Sequence, residues 1–189
     1  MNKRYWEKFY KNHKIDEPTD FAKFVMNYIP KYSKILDLGC GTGRDTYYFG
    51  MHGFETTGVD YAYCPKNKKN TFFIKKDINL FYNRIKDFDV VYSRFFIQAI
   101  KEDEINELIV NSKDCLFLSE FRIKGDKPLI YNSHKRTLLE GETVLNILLK
   151  NNFKIIFFKK GYDMARFKNE NPYVARIIAI NENKTNKDG

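Results

Sequence analysis

Long apolar runs are missing from this chain. None approaches the length needed to span a bilayer, so no membrane insertion is expected. No leader segment is expected either: Met1-Asn2-Lys3-Arg4 runs straight into Tyr5-Trp6-Glu7-Lys8 with no apolar core behind the charges. Cysteine is scarce. Cys40, Cys64 and Cys115 are an odd, scattered set without CxxC spacing, which signals neither a disulfide framework nor a zinc site. Together these absences predict a reduced, cytoplasmic protein without a structural metal. What is present is core material. Hydrophobic residues make up 43% of the 189 residues, with 17 Phe and 13 Tyr, enough for one domain without covalent staples.

The formal charge of +9 admits two partner classes, a nucleic acid or an acidic small molecule. The lysines are spread along the whole chain, however, and patches rather than totals carry partner information. Nothing in the pattern distinguishes a monomer from a dimer.

Asn2 to Tyr10 reads as a short aromatic helix, and Thr19 or Asp20 caps a second helix through Phe21, Phe24, Val25 and Tyr28 that Pro30 ends. Lys34 to Leu38 is an apolar run stopped by glycines, which suits a buried strand, and Arg44 to Met51 reads as helix up to Gly53. The alternation then repeats. Strands are predicted at Glu55–Val59, Thr71–Lys75, Phe88–Ser93, Cys115–Phe121, Phe153–Phe158 and Val174–Ile180, with helices around Leu80–Ile85, Glu102–Val110 and Thr137–Leu149. The fold expected is α/β: a doubly wound, mostly parallel sheet with helices on both faces. The link holding Pro172 is too short for a helical crossover, so the last strand should run antiparallel. One domain is expected over 1–181, with a polar tail at 182–189.

Ile35-Leu36-Asp37-Leu38-Gly39-Cys40-Gly41-Thr42-Gly43 carries the chemistry. Its glycines follow a predicted strand, precede a predicted helix, and let the backbone turn tightly against a ligand. The spacing is GxGxG with Asp37 ahead of it, unlike the GxGxxG of a dinucleotide site. A carboxylate there repels a pyrophosphate and attracts an ammonium. Asp60 closes the second strand about 20 residues on, where ribose hydroxyls are gripped in such folds.

At these residues the chain resembles the class I (Rossmann-like) S-adenosylmethionine-dependent methyltransferases over nearly its whole length. The resemblance implies a seven-stranded sheet with an antiparallel last strand and S-adenosyl-L-methionine as cofactor. It implies that Asp37, Gly39, Gly41, Gly43 and Arg44 form the first cofactor motif. Asp60 and Tyr61 would then sit at the ribose, Asp77 and Ile78 at the adenine, and Ser93, within Asp89–Phe96, beneath the methyl donor. Trp6 and Tyr10 would close over the cofactor, with residues 1–30 as its covering helices. A narrower resemblance is to small bacterial methyltransferases of surface-polysaccharide modification. It rests on Tyr5–Tyr10, Pro18–Ala22, Gly43–Asp45, Ser93–Phe96 with Ala99-Ile100, Glu120–Asp126 and His134-Lys135-Arg136. Gln98 departs from that pattern, which has His there.

Methyl transfer from a sulfonium needs alignment and desolvation, and a base only if the acceptor must lose a proton. Arg94, Glu120, Arg122, His134 and Arg136 fall at carboxyl strand ends or in the loop beyond, the edge where open α/β sheets bind ligands. An arginine cluster there favours a small acidic or sugar-linked acceptor, such as a phosphate, phosphoramidate or carboxylate. An RNA or DNA methyltransferase is the alternative the charge suggests. Against it, Tyr92-Ser93-Arg94-Phe95 is not the Asn/Asp-Pro-Pro-Tyr of amino-methylating enzymes, and Asn171-Pro172-Tyr173 lies between the last two strands. Cys64-Pro65, after the second strand, is misplaced for a cytosine-attacking nucleophile. A non-catalytic cofactor-binding partner protein is a further alternative. An NAD-dependent oxidoreductase fits the glycine spacing least.

Overall fold

The computed structural model describes residues 3–12, 17–126, 138–167 and 169–181. Seven strands form one sheet: β1 (Lys34–Leu38), β2 (Glu55–Asp60), β3 (Thr71–Lys75), β4 (Val90–Arg94), β5 (Leu116–Arg122), β6 (Phe153–Gly161) and β7 (Val174–Asn181). Their order is β3-β2-β1-β4-β5-β7-β6. β7 inserts between β5 and β6 and runs antiparallel to both, as the short last link requires. Strands β1, β4 and β5 are buried almost throughout, because helices cover both faces and leave no solvent side to alternate toward.

Among the described residues five α-helices flank the sheet: α1 (Lys3–Asn12), α2 (Asp20–Val25), α3 (Arg44–Met51), α4 (Glu102–Asn111) and α5 (Gly141–Lys150). On one face Phe21, Ala22 and Val25 of α2 and Phe49 of α3 pack on Ile35, Tyr92, Leu118 and Ile178. On the other, Ile105 and Leu108 of α4 and Val144 and Leu148 of α5 pack on Leu36, Val91, Phe117 and Ile177. Alternate residues of each strand therefore feed two separate cores. The order of strands reverses between β1 and β4, so the crevice beyond their carboxyl ends is the natural ligand site.

Three predicted helices differ in detail. The segment around Leu80–Ile85 forms two 3-10 helices, Ile78–Leu80 and Tyr82–Asp87. Ile78 with Phe81, and Tyr82 with Ile85, are buried at a spacing of three, which eclipses on a 3-10 helix and drifts apart on an α-helix. The helix expected from Thr137 starts at Gly141: Leu139 is instead bridged to Ile123, and its carbonyl accepts the Lys124 N–H at 2.8 Å. Thr137 itself lies outside the described residues. α2 ends at Val25 rather than Tyr28. Thr19 is its cap, with Oγ1 accepting the Ala22 N–H at 3.0 Å.

Candidate active site

The glycine loop leaves β1 and is tied at once to β2. The Gly39 and Cys40 N–H groups donate to the Val59 carbonyl at 2.8 and 3.3 Å, and the Gly41 N–H donates to Asp60 Oδ2 at 3.2 Å. Gly39 and Gly41 both have positive φ, 71° and 53°. Space is denied as well as conformation: a Cβ on Gly41 would lie 2.7 Å from Tyr10 Cε1, and one on Gly39 would lie 2.8 Å from Phe96 Cδ2. At Gly39 and Gly41 the loop is therefore bare backbone, with aromatic rings laid against it. Gly43 caps α3.

A cavity opens beside this loop at the reversal between β1 and β4. Trp6 and Tyr10 of α1 form one wall, their rings stacked at 5.6 Å. Gly39, Asp60, Tyr61, Asp77, Ile78 and Phe95 also line the cavity, with Phe96, Ala99 and Ile100. Asp60 is nine-tenths buried or more, and its Oδ1 also accepts the Ala62 and Tyr63 N–H groups at 2.7 and 3.2 Å. Burial pushes its carboxyl up while these backbone donors oppose the rise. The Tyr61 hydroxyl is buried without a hydrogen-bond partner among the described residues. Asp77 caps the first 3-10 helix by accepting the Asn79 N–H at 3.1 Å.

Asp37 lies behind the loop, at the carboxyl end of β1. It is buried, and Thr46 Oγ1 donates to it at 2.6 Å. Burial, reinforced by the charge of Asp45, pushes its carboxyl up to about 8. Asp45 is itself fully engaged, accepting from the Thr19 N–H, the Thr19 hydroxyl and the Tyr92 hydroxyl at 2.8, 2.9 and 2.7 Å. A cation placed at Asp37 would recover the ionisation that burial suppresses.

Beyond the cavity wall lies an arginine-rich layer. Arg94, Glu120 and Arg176 stand opposite one another across β4, β5 and β7. Glu120, 1% exposed, takes Arg94 Nε on one oxygen at 2.9 Å and Arg176 Nε on the other at 2.7 Å. Arg122 is held by Asp126 and Glu170, and the Phe95 ring lies between the Arg94 and Arg122 guanidinium carbons at 4.0 and 5.1 Å. Phe95 therefore faces the cavity and the arginines together, from a backbone with φ of 54°.

Of the residues singled out from sequence, Trp6, Tyr10, Gly39, Asp60, Tyr61, Asp77 and Ile78 meet at the cavity. Asp37, Gly41 and Gly43 support it from behind. Ser93 points the other way, into the core, where its hydroxyl pairs with that of Ser119 at 2.9 Å. Arg44 is turned toward the arginine layer, 6.0 Å from the Phe167 ring centroid. Arg94, Glu120 and Arg122 are adjacent, whereas His134 and Arg136 lie outside the described residues. Phe95, Phe96 and Glu104 were missed as wall residues. The first two sat within the quoted fourth motif, and Glu104 was hidden in the first turn of α4, where it accepts the Lys101 N–H.

The sequence profile of the methyltransferase domain matches residues 8–116, more than half of the chain. The chain belongs to the methyltransferase-domain family. No curated protein sequence matches it. Solved structures share the fold. A SAM-dependent methyltransferase of Methanosarcina mazei superposes with a TM-score of 0.66 at 16% identity, over 84% of this chain and 98% of its own. The glycopeptide N-methyltransferase MtfA, complexed with S-adenosyl-L-methionine, gives 0.65 at 15% identity, over 88% and 94%. A 1,6-didemethyltoxoflavin-N1-methyltransferase of Burkholderia thailandensis, bound to that substrate and S-adenosylhomocysteine, gives 0.65 at 16%, over 86% and 77%. This methyltransferase's own residues fit S-adenosylmethionine. The three glycines that bare the loop's backbone, the buried Asp60 carboxylate at the cavity and the suppressed Asp37 carboxyl suit a ligand that carries hydroxyls and an ammonium. No helix among the described residues is long and apolar enough to cross a membrane.

Proposed function

We propose that this S-adenosylmethionine-dependent methyltransferase transfers a methyl group to a small, polar, anionic acceptor. The observation that carries the proposal is Arg94. Its Nε is spent on Glu120, while among the described residues its two terminal nitrogens have no hydrogen-bond partner. It stands behind the cavity wall, its guanidinium carbon 4.0 Å from the centre of the Phe95 ring that lines the cavity. A guanidinium fixed through one edge presents its other edge to an oxyanion in two-pronged fashion. The phosphate, phosphoramidate and carboxylate groups of metabolites or polysaccharide precursors fall in that class.

When bound, the cofactor would supply a methyl carbon on a sulfonium, which an acceptor lone pair would attack while the neutral thioether leaves. The protein's part is alignment and exclusion of water. Asp37 and Asp60 would hold the amino-acid and ribose ends, Trp6 and Tyr10 would cover the cavity, and Asp77 would meet the adenine. Phe95, which lines the cavity, would separate it from an acceptor held at Arg94. An anionic oxygen needs no general base, so transfer proceeds without one from His134.

Methyl-labelled S-adenosylmethionine incubated with the protein and a fractionated bacterial lysate tests this reading. Label in small anionic molecules or polysaccharide, reduced about tenfold or more in Arg94→Lys, supports it. Label confined to RNA or DNA contradicts the acceptor, and cofactor binding without label in any fraction identifies a non-catalytic binder.

A further inference from the structure

Arg44 is the first residue of α3, directly after the glycine loop. Its position in sequence suggests a cofactor contact, yet it does not line the cofactor cavity. It is half-buried, and its guanidinium is held below its usual range by burial and by the neighbouring Arg94 charge. Tyr92 and Arg94 project from the same face of β4, and the Tyr92 hydroxyl donates to Asp45 of α3 at 2.7 Å, so Arg94 and the start of α3 lie on one side of the sheet. The carboxylates nearby are already spoken for. Asp45 accepts three hydrogen bonds from Thr19 and Tyr92, Glu120 is divided between Arg94 and Arg176, and Asp126 and Glu170 both hold Arg122. Among the described residues, no carboxylate oxygen is hydrogen-bonded to Arg44 or to the terminal nitrogens of Arg94.

The segment between β6 and β7 closes this corner. The Met164 carbonyl accepts from an Arg176 terminal nitrogen, Glu170 holds Arg122, and Phe167 and Glu170 exchange backbone hydrogen bonds at 3.0 and 2.9 Å. That clamping places the Phe167 ring, 37% exposed, beside Arg44. Like charges brought together at partial burial repel, and their arrangement is relieved by an anion placed between them.

We propose that Arg44 and Arg94 together form the acceptor's oxyanion subsite, with Phe167 beside it as a contact for the body that carries the anion. The ligand is a phosphate or carboxylate group attached to an apolar or planar body. This rests on the reading of methyl transfer to an anionic acceptor, and it assigns Arg44 to the acceptor rather than the cofactor. Arg122 and Arg176 are scaffold: their charges are satisfied by Glu170, Asp126 and Glu120, and they hold the β6–β7 segment in place.

The test uses phenyl phosphate, benzoate and neutral benzamide as probes, followed by saturation-transfer NMR on the full chain with and without S-adenosylhomocysteine. Cofactor-product affinity is measured in parallel by calorimetry. We expect one or both anions to bind and benzamide not to, the stronger anion naming the phosphate or carboxylate class. In Arg44→Ala the anion should weaken about tenfold or more, with partial recovery in Arg44→Lys, while S-adenosylhomocysteine affinity stays within about threefold. Phe167→Ala should weaken the aromatic probes, while the affinity of inorganic phosphate, read by its displacement of phenyl phosphate, stays unchanged. The reverse pattern for Arg44→Ala, in which S-adenosylhomocysteine weakens and the anion does not, overturns the assignment. So does wild-type protein that binds S-adenosylhomocysteine and neither anion. Wild-type protein that fails to bind S-adenosylhomocysteine refutes the cofactor reading instead, and the titrations without it still decide the oxyanion subsite.

Discussion

Cofactor affinity should rise steeply with pH, and Asp37 is the reason. Its carboxyl is pushed up to about 8 by burial and by Asp45, so in the free protein it is neutral through most of the physiological range. Binding an ammonium against it requires the ionised form, and the proton must leave as the ligand arrives. At pH 6 about one molecule in a hundred carries the ionised carboxyl, and at pH 8 about half do, so affinity should climb roughly 50-fold between them. The stability linkage has the matching sign. A carboxyl raised above its unfolded value favours the folded state below about pH 4, and that contribution is lost as pH climbs toward 8. The ligand-free protein therefore loses stability over that interval, and bound cofactor restores most at the upper end. Calorimetry of S-adenosylhomocysteine binding at pH 6.5, in two buffers of different ionisation enthalpy, should show close to one proton released. Asp37→Asn should bind weakly at every pH with no such release. Affinity flat from pH 6 to 8 in the wild type, with no proton released, would refute the reasoning.

Gly41→Ala forces a side chain into a backbone with positive φ, at about 1–2 kcal/mol, and drives its Cβ into Tyr10. Calorimetry should show at least a tenfold loss of S-adenosylhomocysteine affinity, and an unchanged value would remove the loop from the cofactor site. Glu120→Ala leaves Arg94 and Arg176 buried and facing one another, so chemical denaturation should show a loss of about 3–5 kcal/mol. Thr19→Ala removes both the cap of α2 and a hydroxyl bond to Asp45, and the thermal midpoint should fall by the equivalent of about 1–2 kcal/mol.

The parallel sheet was legible because its central strands are buried on both faces and so read as plain apolar runs bounded by glycine. The antiparallel last strand followed from a link too short to cross over. The cavity beside the glycine loop was legible for a similar local reason: Gly39 and Gly41 are tied to the end of β2 at Val59 and Asp60, with Asp37 next to the loop bonded to Thr46. Arg94, Glu120 and Arg122 were foreseen by position, but their pairing was not. Arg122 is fixed by Glu170, 48 residues away, and Glu120 by Arg176, 56 away, and no spacing rule foretells such pairs. Ser93 shows the limit of a motif taken as a block. Strand alternation sends its hydroxyl to Ser119 and the Arg94 side chain to the opposite face, and the positive φ at Phe95 breaks the alternation where that ring reaches the cavity. The start of α5 was misplaced because Leu139, apolar in a helical pattern, is committed to a bridge with Ile123.

The central claim is methyl transfer to an anion, and the charge of the labelled product tests it most directly. Methylating an oxyanion oxygen removes one negative charge. Lysate labelled with methyl-tagged S-adenosylmethionine should therefore yield a small, nuclease-resistant product that elutes from anion exchange ahead of its unmethylated acceptor. Label that disappears on nuclease treatment, or that resides in a neutral acceptor never retained on the column, would contradict the account.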